Sequence, residues 1–306
     1  MFPPPPPSRI AYLILAHRNP AHLGRLVRRL TTPQATCFVH VDRKAPFAPF
    51  AAALAGTGAV LSDQRIAVRW GGFGMVRATL MLLEQAFADA RGFERFVLLS
   101  GTDYPIRSTA AIEAFFAQHA GDEFIEMLPF GKDGKSEERL SRYHPDVPRA
   151  LQRGLRLLER LGLVARWRDH RAVLGDLVPY GGASWWALSR LAAAHVLAFG
   201  RQRPEIVQFM STTACPDEHY FQTILGNSPF RTRLRGGLTY ADWSGGAASP
   251  AWLTHRHLDV LREIGTSTPD RVGHLFARKC PEPSDEIVRQ IEAMIAARPR
   301  DEALAD

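Results

Sequence analysis

Cysteine is scarce in this 306-residue chain: Cys37, Cys215 and Cys280 are the only three, with neither a CxxC pair nor the His-partnered spacing of a zinc site. A disulfide-stapled scaffold is excluded, and free thiols in a reducing compartment are expected. No apolar run approaches the roughly 20 residues that cross a bilayer, and the opening MFPPPPPSRI has neither the basic start nor the apolar middle of a secretory signal. The expectation is a cytoplasmic protein. Phosphate-binding glycine loops are missing too, both the GxGxxG of dinucleotide enzymes and the GxxxxGKS/T of P-loop NTPases; GGFG at 71–74 is too short for either. A serine hydrolase would want a GxSxG elbow, and none is present. Finally, no two acids stand at positions i and i+2 anywhere, so the Asp-x-Asp pair that offers oxygen ligands to a hard divalent cation is absent.

What is present is ordinary globular material. A composition of 46% hydrophobic and 23% charged residues suits one large α/β domain or two tightly joined lobes around a sizeable core. The excess of 38 Lys+Arg over 31 Asp+Glu gives a net charge of +7, which attracts phosphates in general: nucleic acid, anionic lipid or a phosphorylated donor. The cations are dispersed and no aromatic-basic nucleic-acid motif occurs, so nucleic acid is not an expected partner. The most basic helical stretch, RGLRLLERLGLVARWRDHRAVLG (153–175), has Leu, Val and Trp spacing that fits an interfacial helix or one packed on its own core; the core reading is preferred. The proline run at 3–7 reads as a short disordered or polyproline lead-in (1–8), with folded structure from Arg9.

Four short apolar segments, IAYLILAH, TCFVHVD, RIAVRW and RFVLLS, read as strands, and PAHLGRLVRRL, GMVRATLMLLEQAFADA and STAAIEAFFAQHA carry helical periodicity. Such alternation predicts a mostly parallel sheet covered by helices on both faces, with ligands at the carboxyl ends of the strands. Those ends read AHRNP (16–20), HVDRKA (40–45), RWGGFG (69–74) and LSGTDYPI (99–106). The second half is less regular: GGASWWALS suggests a buried strand, DEHYFQTIL and LTHRHLDVLREI suggest helices, and VGHLFARK a late or edge strand. No internal repeat is found.

Seven blocks then fall in a familiar order: AYLILAHRNPAHLGRLVRRL, FVHVDRKA, RWGGFGMVRATLMLL, FVLLSGTDYPIRS, IEMLPFGKDGKSEERLSRY, PDEHYFQTIL and HLFARK. Together they resemble the Core-2/I-branching glycosyltransferase family, which includes the peptide O-xylosyltransferases, across roughly residues 9–280. The resemblance implies a GT-A-type fold, a UDP-sugar donor, no metal or other cofactor, and an inverting transfer of N-acetylglucosamine first or xylose next to a glycan hydroxyl. It divides the chain into a nucleotide-binding half (9–127), an acceptor and diphosphate half (128–280), and a C-terminal helix and tail (281–306). The animal members are membrane-tethered Golgi proteins rich in disulfides. Lacking tether and cysteines alike, this chain is expected to be a bacterial-type member that extends a surface polysaccharide or lipid-linked glycan, its basic surface near the anionic inner face of a membrane. A descendant that keeps the nucleotide pocket but has lost its base is the alternative; the presence of Glu218 argues against it.

The residues carry this chemistry as follows. Asp217 and Glu218 follow a proline at the mouth of a helical segment, where acids favour the positive end of the helix dipole and Asp217 can cap. Inversion at an anomeric carbon needs a single base for the attacking hydroxyl. The resemblance places Glu218 on the family's catalytic glutamate and leaves Asp217 as cap or neighbour. Without Asp-x-Asp, the diphosphate must be neutralised by Arg or Lys. Lys279 of HLFARK matches the family's diphosphate lysine, and Arg278 beside it departs from the animal enzymes. The family's partner arginine lies upstream, with Arg262 the first expectation and Arg271 the second. Glu126, Lys135 and Arg139 match acceptor contacts, Trp243 could stack on a sugar face, and His17, Arg18 and Asp42 end the first two strands where a base and ribose would lie. Asp103 takes the family's position beside the donor sugar. Trp70 is read as structural.

Overall fold

A computed structural model describes residues 9–132, 134–164, 167–265 and 273–298. The lead-in at 1–8, Arg271 and the end of the C-terminal tail lie outside the described residues.

The first strand, β1 (Ile10–Ala16), is apolar throughout because both of its faces are covered: Ile10, Tyr12 and Ile14 enter one core, Ala11 and Leu13 the other. In chain order there follow β2 (Ala35–Val41), β3 (Val60–Leu61), β4 (Arg95–Ser100), β5 (Tyr104–Pro105), β6 (Glu123–Ile125) and β7 (Leu128–Pro129). The second half supplies β8 (Tyr180–Gly181), β9 (Trp186–Ser189), β10 (Leu234–Arg235), β11 (Thr239–Ala241) and β12 (Phe276–Arg278). The main sheet has the order β10-β6-β9-β4-β1-β2-β3. Every neighbouring pair in it is parallel except those of β9, which runs against both β4 and β6. This is the mostly parallel sheet, flanked by helices, that the alternation predicts.

Local chemistry sets the turns. Asn19 adopts the left-handed conformation at φ 52° that Asn tolerates better than most residues, and its side chain takes the His22 N–H to open the helix Pro20–Leu30. Ser108 caps Thr109–Gln118 in the same way. The segment RIAVRW forms no ladder, contrary to expectation. Its Arg65 donates to the carbonyls of Val41, Asp42 and Ala45, and Ile66 N–H donates to His40, so side chains pin this stretch across the end of β2 while the third strand forms earlier, at Val60–Leu61.

Three other segments differ from their sequence reading. DEHYFQTIL is split into a 3₁₀ turn over Pro216–Glu218 and an α-helix over Tyr220–Gly226; LTHRHLDVLREI is likewise divided, His255–His257 then Leu258–Ile264. VGHLFARK yields β12, parallel to β11 and antiparallel to β5 in a small sheet, which returns the chain to the loop after β4. The basic stretch does not pack on the core: among the described side chains of its helix Arg149–Arg160 none is fully buried, and Leu151, Leu157 and Leu158 are exposed. An ion pair from Glu159 to Arg142 at 2.8 Å anchors it instead.

The helix Asp285–Ala296 folds back over the start of the chain. Ser284 meets His22 Nδ1 at 2.9 Å and accepts from Arg25, while Glu292 accepts from Tyr104 and pairs with Arg29. Asn19 donates to the Pro281 carbonyl at 3.1 Å. All three cysteines are unpaired.

Candidate active site

A cleft of about 730 Å³ opens at the carboxyl ends of β1, β2 and β4, where His17, Arg18, Asp42, Ser100 and Thr102 line it. Its far wall comes from the second half of the chain. Gly182 joins the two: a side chain there would meet the Glu126 carbonyl at 2.0 Å, and its N–H donates to the Glu218 carbonyl at 2.8 Å, so only glycine lets these two glutamate-bearing segments close on one another. On the adjoining rim Gly71 is favoured by its φ of 74°, and Gly72 by the Asp146 carboxylate, whose carbon a side chain there would meet at 2.5 Å. Asp146 there accepts from Gly74 N–H and Arg69.

Glu218 ends its 3₁₀ turn inside the cleft. Lys135 Nζ and Arg139 Nη1 each donate to it at 2.6 Å, and both bonds go to the same oxygen, Oε2. Oε1 is left for another donor. Burial pushes the Glu218 carboxyl up, but the bonds and charges of Lys135 and Arg139 outweigh it and hold the group below the ordinary glutamate range. It is an ionised acceptor near neutrality. Asp217 beside it is pushed up, chiefly by burial and further by the charge of Glu218, against the hydrogen bond it accepts from Ser184 at 2.7 Å. Asp217 does not cap a helix: Tyr220–Gly226 starts without a side-chain cap, and the Asp217 carboxylate turns to Ser184.

Cations gather at the other end. Lys279 Nζ sits 4.0 Å from the centre of the Trp252 ring and donates to Ser249 at 3.0 Å, and Arg18 lies 5.8 Å from the same ring. Burial, then the charges of Arg278 and Arg18, lower the Lys279 ammonium from its usual range. Arg278 lies 4.2 Å from the Trp185 ring, with its Nε 3.5 Å from Asp103 Oδ1. That carboxylate is fully buried; burial pushes it up to about 6, against the pull of Arg278 and the Ser100 N–H. His17, lowered by burial and by Arg18, accepts from Arg18 Nε at 3.0 Å as a neutral ring.

Of the residues expected at the site, His17, Arg18, Asp42, Glu126, Lys135, Asp217, Glu218, Trp243, Arg278 and Lys279 all line this one cleft, and Arg139 reaches it through Glu218. Asp103 is not on its surface; it lies beneath Arg278. Arg262 is not brought there at all. The helix Leu258–Ile264 buries Leu261 and Ile264, which turns Arg262 outward, 59% exposed, to meet Asp259 at 2.7 Å. Trp70, read as structural, is 78% exposed at the cleft's rim. Sequence reasoning missed Trp252, which has no motif around it, and Trp185. The latter was legible in principle: in an extended chain Trp185 and Trp186 must face opposite ways, and Trp186 is the buried one. Among the described residues no group of three or more His, Cys, Asp or Glu side chains could hold a metal ion, and no helix is long and apolar enough to cross a membrane.

A cleft at the strand ends of an α/β sheet, with an ionised carboxylate on one wall and clustered cations on another, defines a candidate group-transfer site. The chain belongs to the Core-2/I-branching enzyme family, whose model matches residues 10–265. Similar curated proteins include xylosyltransferase 2 of Canis lupus familiaris (26% identical over 231 residues, 73% of this chain and 25% of the relative) and of Homo sapiens (25% over 247 residues, 78% and 27%). Xylosyltransferase 1 of Rattus norvegicus is 26% identical over 251 residues, 79% of this chain and 29% of the relative. The aligned part thus covers about a quarter of the length of each of these relatives. Among solved structures, S. aureus TarS 1–349 in complex with UDP shares 13% identity at a TM-score of 0.41, covering 96% of this chain and 68% of that one. Glucosyl-3-phosphoglycerate synthase from Mycobacterium tuberculosis, in complex with Mn²⁺, UDP and glucosyl-3-phosphoglycerate, shares 12% at a TM-score of 0.34, covering 75% and 69%.

Proposed function

We propose that this protein is an inverting glycosyltransferase that moves a sugar from a UDP-sugar to a glycan hydroxyl without a divalent metal. The observation that carries the reading is the Glu218 carboxylate, fixed through Oε2 by Lys135 and Arg139 with Oε1 unengaged, in the same cleft as Lys279, Arg278 and Arg18. The acceptor hydroxyl gives its proton to Glu218 as its oxygen attacks the anomeric carbon; the bond from that carbon to the UDP oxygen breaks on the opposite face. Negative charge then grows on the diphosphate, where Lys279 and the neighbouring arginines stabilise it. On this reading Asp42, which follows β2, accepts from uracil or ribose, and Trp243 stacks on a sugar face.

The donor sugar is expected to be N-acetylglucosamine, with xylose, suggested by the relatives' names, the second candidate. A lipid-linked or surface glycan acceptor, reached from the cytoplasmic side, suits the basic surface. A panel of UDP-N-acetylglucosamine, UDP-xylose, UDP-glucose and UDP-galactose, scored by thermal shift and slow donor hydrolysis with excess EDTA present, tests the reading. Stabilisation and hydrolysis by one donor in EDTA are expected. Failure of every donor to bind would overturn the reading, and activity that vanished in EDTA and returned with Mn²⁺ would overturn the metal-independent part of it.

A further inference from the structure

The helix Arg149–Arg160 is amphipathic, yet its apolar side has nothing against it among the described residues. At about 3.6 residues per turn, Ala150, Leu151, Leu157 and Leu158 share one side, Arg153, Arg156 and Arg160 the next, and Gln152, Leu155 and Glu159 the half-buried third. Leu161 and Leu163 extend the apolar side past the helix end, 62% and 69% exposed. Trp167, equally exposed, pairs its backbone with Arg142, whose guanidinium holds Glu159. Among the described residues no acid pairs with Arg153, Arg156 or Arg160, whereas the acids of the neighbouring elements, Glu137, Glu138 and Glu159, are matched by Arg171 or Arg142. Exposed leucines beside an uncompensated row of arginines are the two halves of an interfacial helix, one for acyl chains and one for headgroup phosphates.

We propose that this helix, continued through Leu163, docks the protein on an anionic lipid surface. A second copy of the chain fits the same face poorly. Two-fold pairing would set the arginine row against itself, and the helix's one acid, Glu159, is turned inward. The dock would bring the lipid close to the rim of the cleft, because Asp146, just ahead of the helix, is bonded to Arg69 and Gly74 on the rim that carries Trp70 and Gly71. This surface deepens the lipid-linked-acceptor reading and rests on it for its purpose, but its test uses no sugar.

The test is co-sedimentation with vesicles of phosphatidylcholine alone and of phosphatidylcholine mixed with phosphatidylglycerol, at low and high sodium chloride. The wild type is expected to partition onto the anionic vesicles about tenfold or more better than onto the neutral ones, and salt to weaken it. Replacement of Leu157, Leu158 and Leu161 by Glu, or of Arg153, Arg156 and Arg160 by Glu, is expected to lower that partitioning by about tenfold or more, with the melting temperature held. Hydrogen exchange on the wild type covers the case of a misfolded variant: residues 149–163 should gain protection on anionic vesicles only. Partitioning that ignored lipid charge, or either triple variant binding like the wild type, would overturn the proposal. So would a wild-type dimer that the leucine variant dissociates without a change in vesicle binding, which would make this face a self-association surface.

Discussion

Replacing Glu218 by Gln separates proton transfer from every other role of that side chain. Both cationic bonds go to Oε2, at 2.6 Å each, so the amide oxygen of Gln can take that place and accept from Lys135 and Arg139 as before. The amide nitrogen then falls where Oε1 stood, a donor in the position of the base. Lys135 and Arg139 stay ionised, so both bonds remain charge-assisted; what Gln removes is the attraction of two ion pairs, about 1 kcal/mol each, so the fold loses about 2. These side chains are only 20–30% exposed, so solvent screening removes little of that. A loss of this size lowers the melting temperature by several degrees and leaves the fold intact. Turnover, in contrast, should fall by about 10²–10⁴, the range for losing general-base assistance. Transfer rate under saturating donor, melting temperature and UDP affinity by calorimetry would be measured on one preparation. A variant that transferred sugar at near the wild-type rate would refute the mechanism, and UDP affinity lost along with turnover would move Glu218 to donor binding.

Asp217→Asn keeps an acceptor for Ser184 and should cost far less turnover than Glu218→Gln; equal losses would mean that the two acids act as a pair. Lys135→Met removes one of the groups that oppose burial at Glu218, so the acid limb of the kcat/KM profile should move to higher pH, and a shift to lower pH would reverse the assigned electrostatics. Lys279→Ala should weaken UDP binding by about tenfold or more, given about 1.5–3 kcal/mol for a bond to a charged group, and unchanged calorimetric affinity would remove Lys279 from the diphosphate site. Arg278→Met strands the Asp103 carboxylate and should destabilise the fold by about 3–5 kcal/mol; adding Asp103→Asn should recover much of that melting temperature without restoring UDP affinity, and additive losses would show that the two do not act as a pair.

Strand and helix alternation made the sheet legible, because a strand covered on both faces must be apolar at consecutive positions, as β1, β2 and β4 are. The same signal misled at RIAVRW. Ile66 and Val68 alternate as strand residues do, but the guanidinium of Arg65 and the ring of His40 satisfy the local backbone, and nothing in the periodicity distinguishes that from a ladder. Glu218 and its partners lie 83 and 79 residues apart, beyond the reach of spacing; resemblance put all three near the acceptor, and the direct bonds among them came only from the fold. Arg262 failed for a simpler reason. Its helix was expected, but which side of it faces inward depends on where Leu261 and Ile264 find their partners. The basic stretch read correctly as amphipathic, and what decided against the core was the absence of a facing apolar surface, which no single segment can announce.

The clasp of the helix Asp285–Ala296 on the first helix bears on the order in which the molecule can be completed. Lys279 and Arg278 are held at the cleft by β12 between β11 and β5, and the chain just beyond them is tied through Asn19, His22, Arg25, Arg29 and Tyr104 to the first helix and to β5. During synthesis the β1–β2 half and the Glu218 wall emerge first, and domains tend to fold as they emerge. The cationic end is clasped only when the closing helix leaves the ribosome and finds partners up to 262 residues upstream. A stalled or clipped chain would therefore carry a formed Glu218 wall and an unformed cationic end, and under the proposed function it should fail to hold a nucleotide.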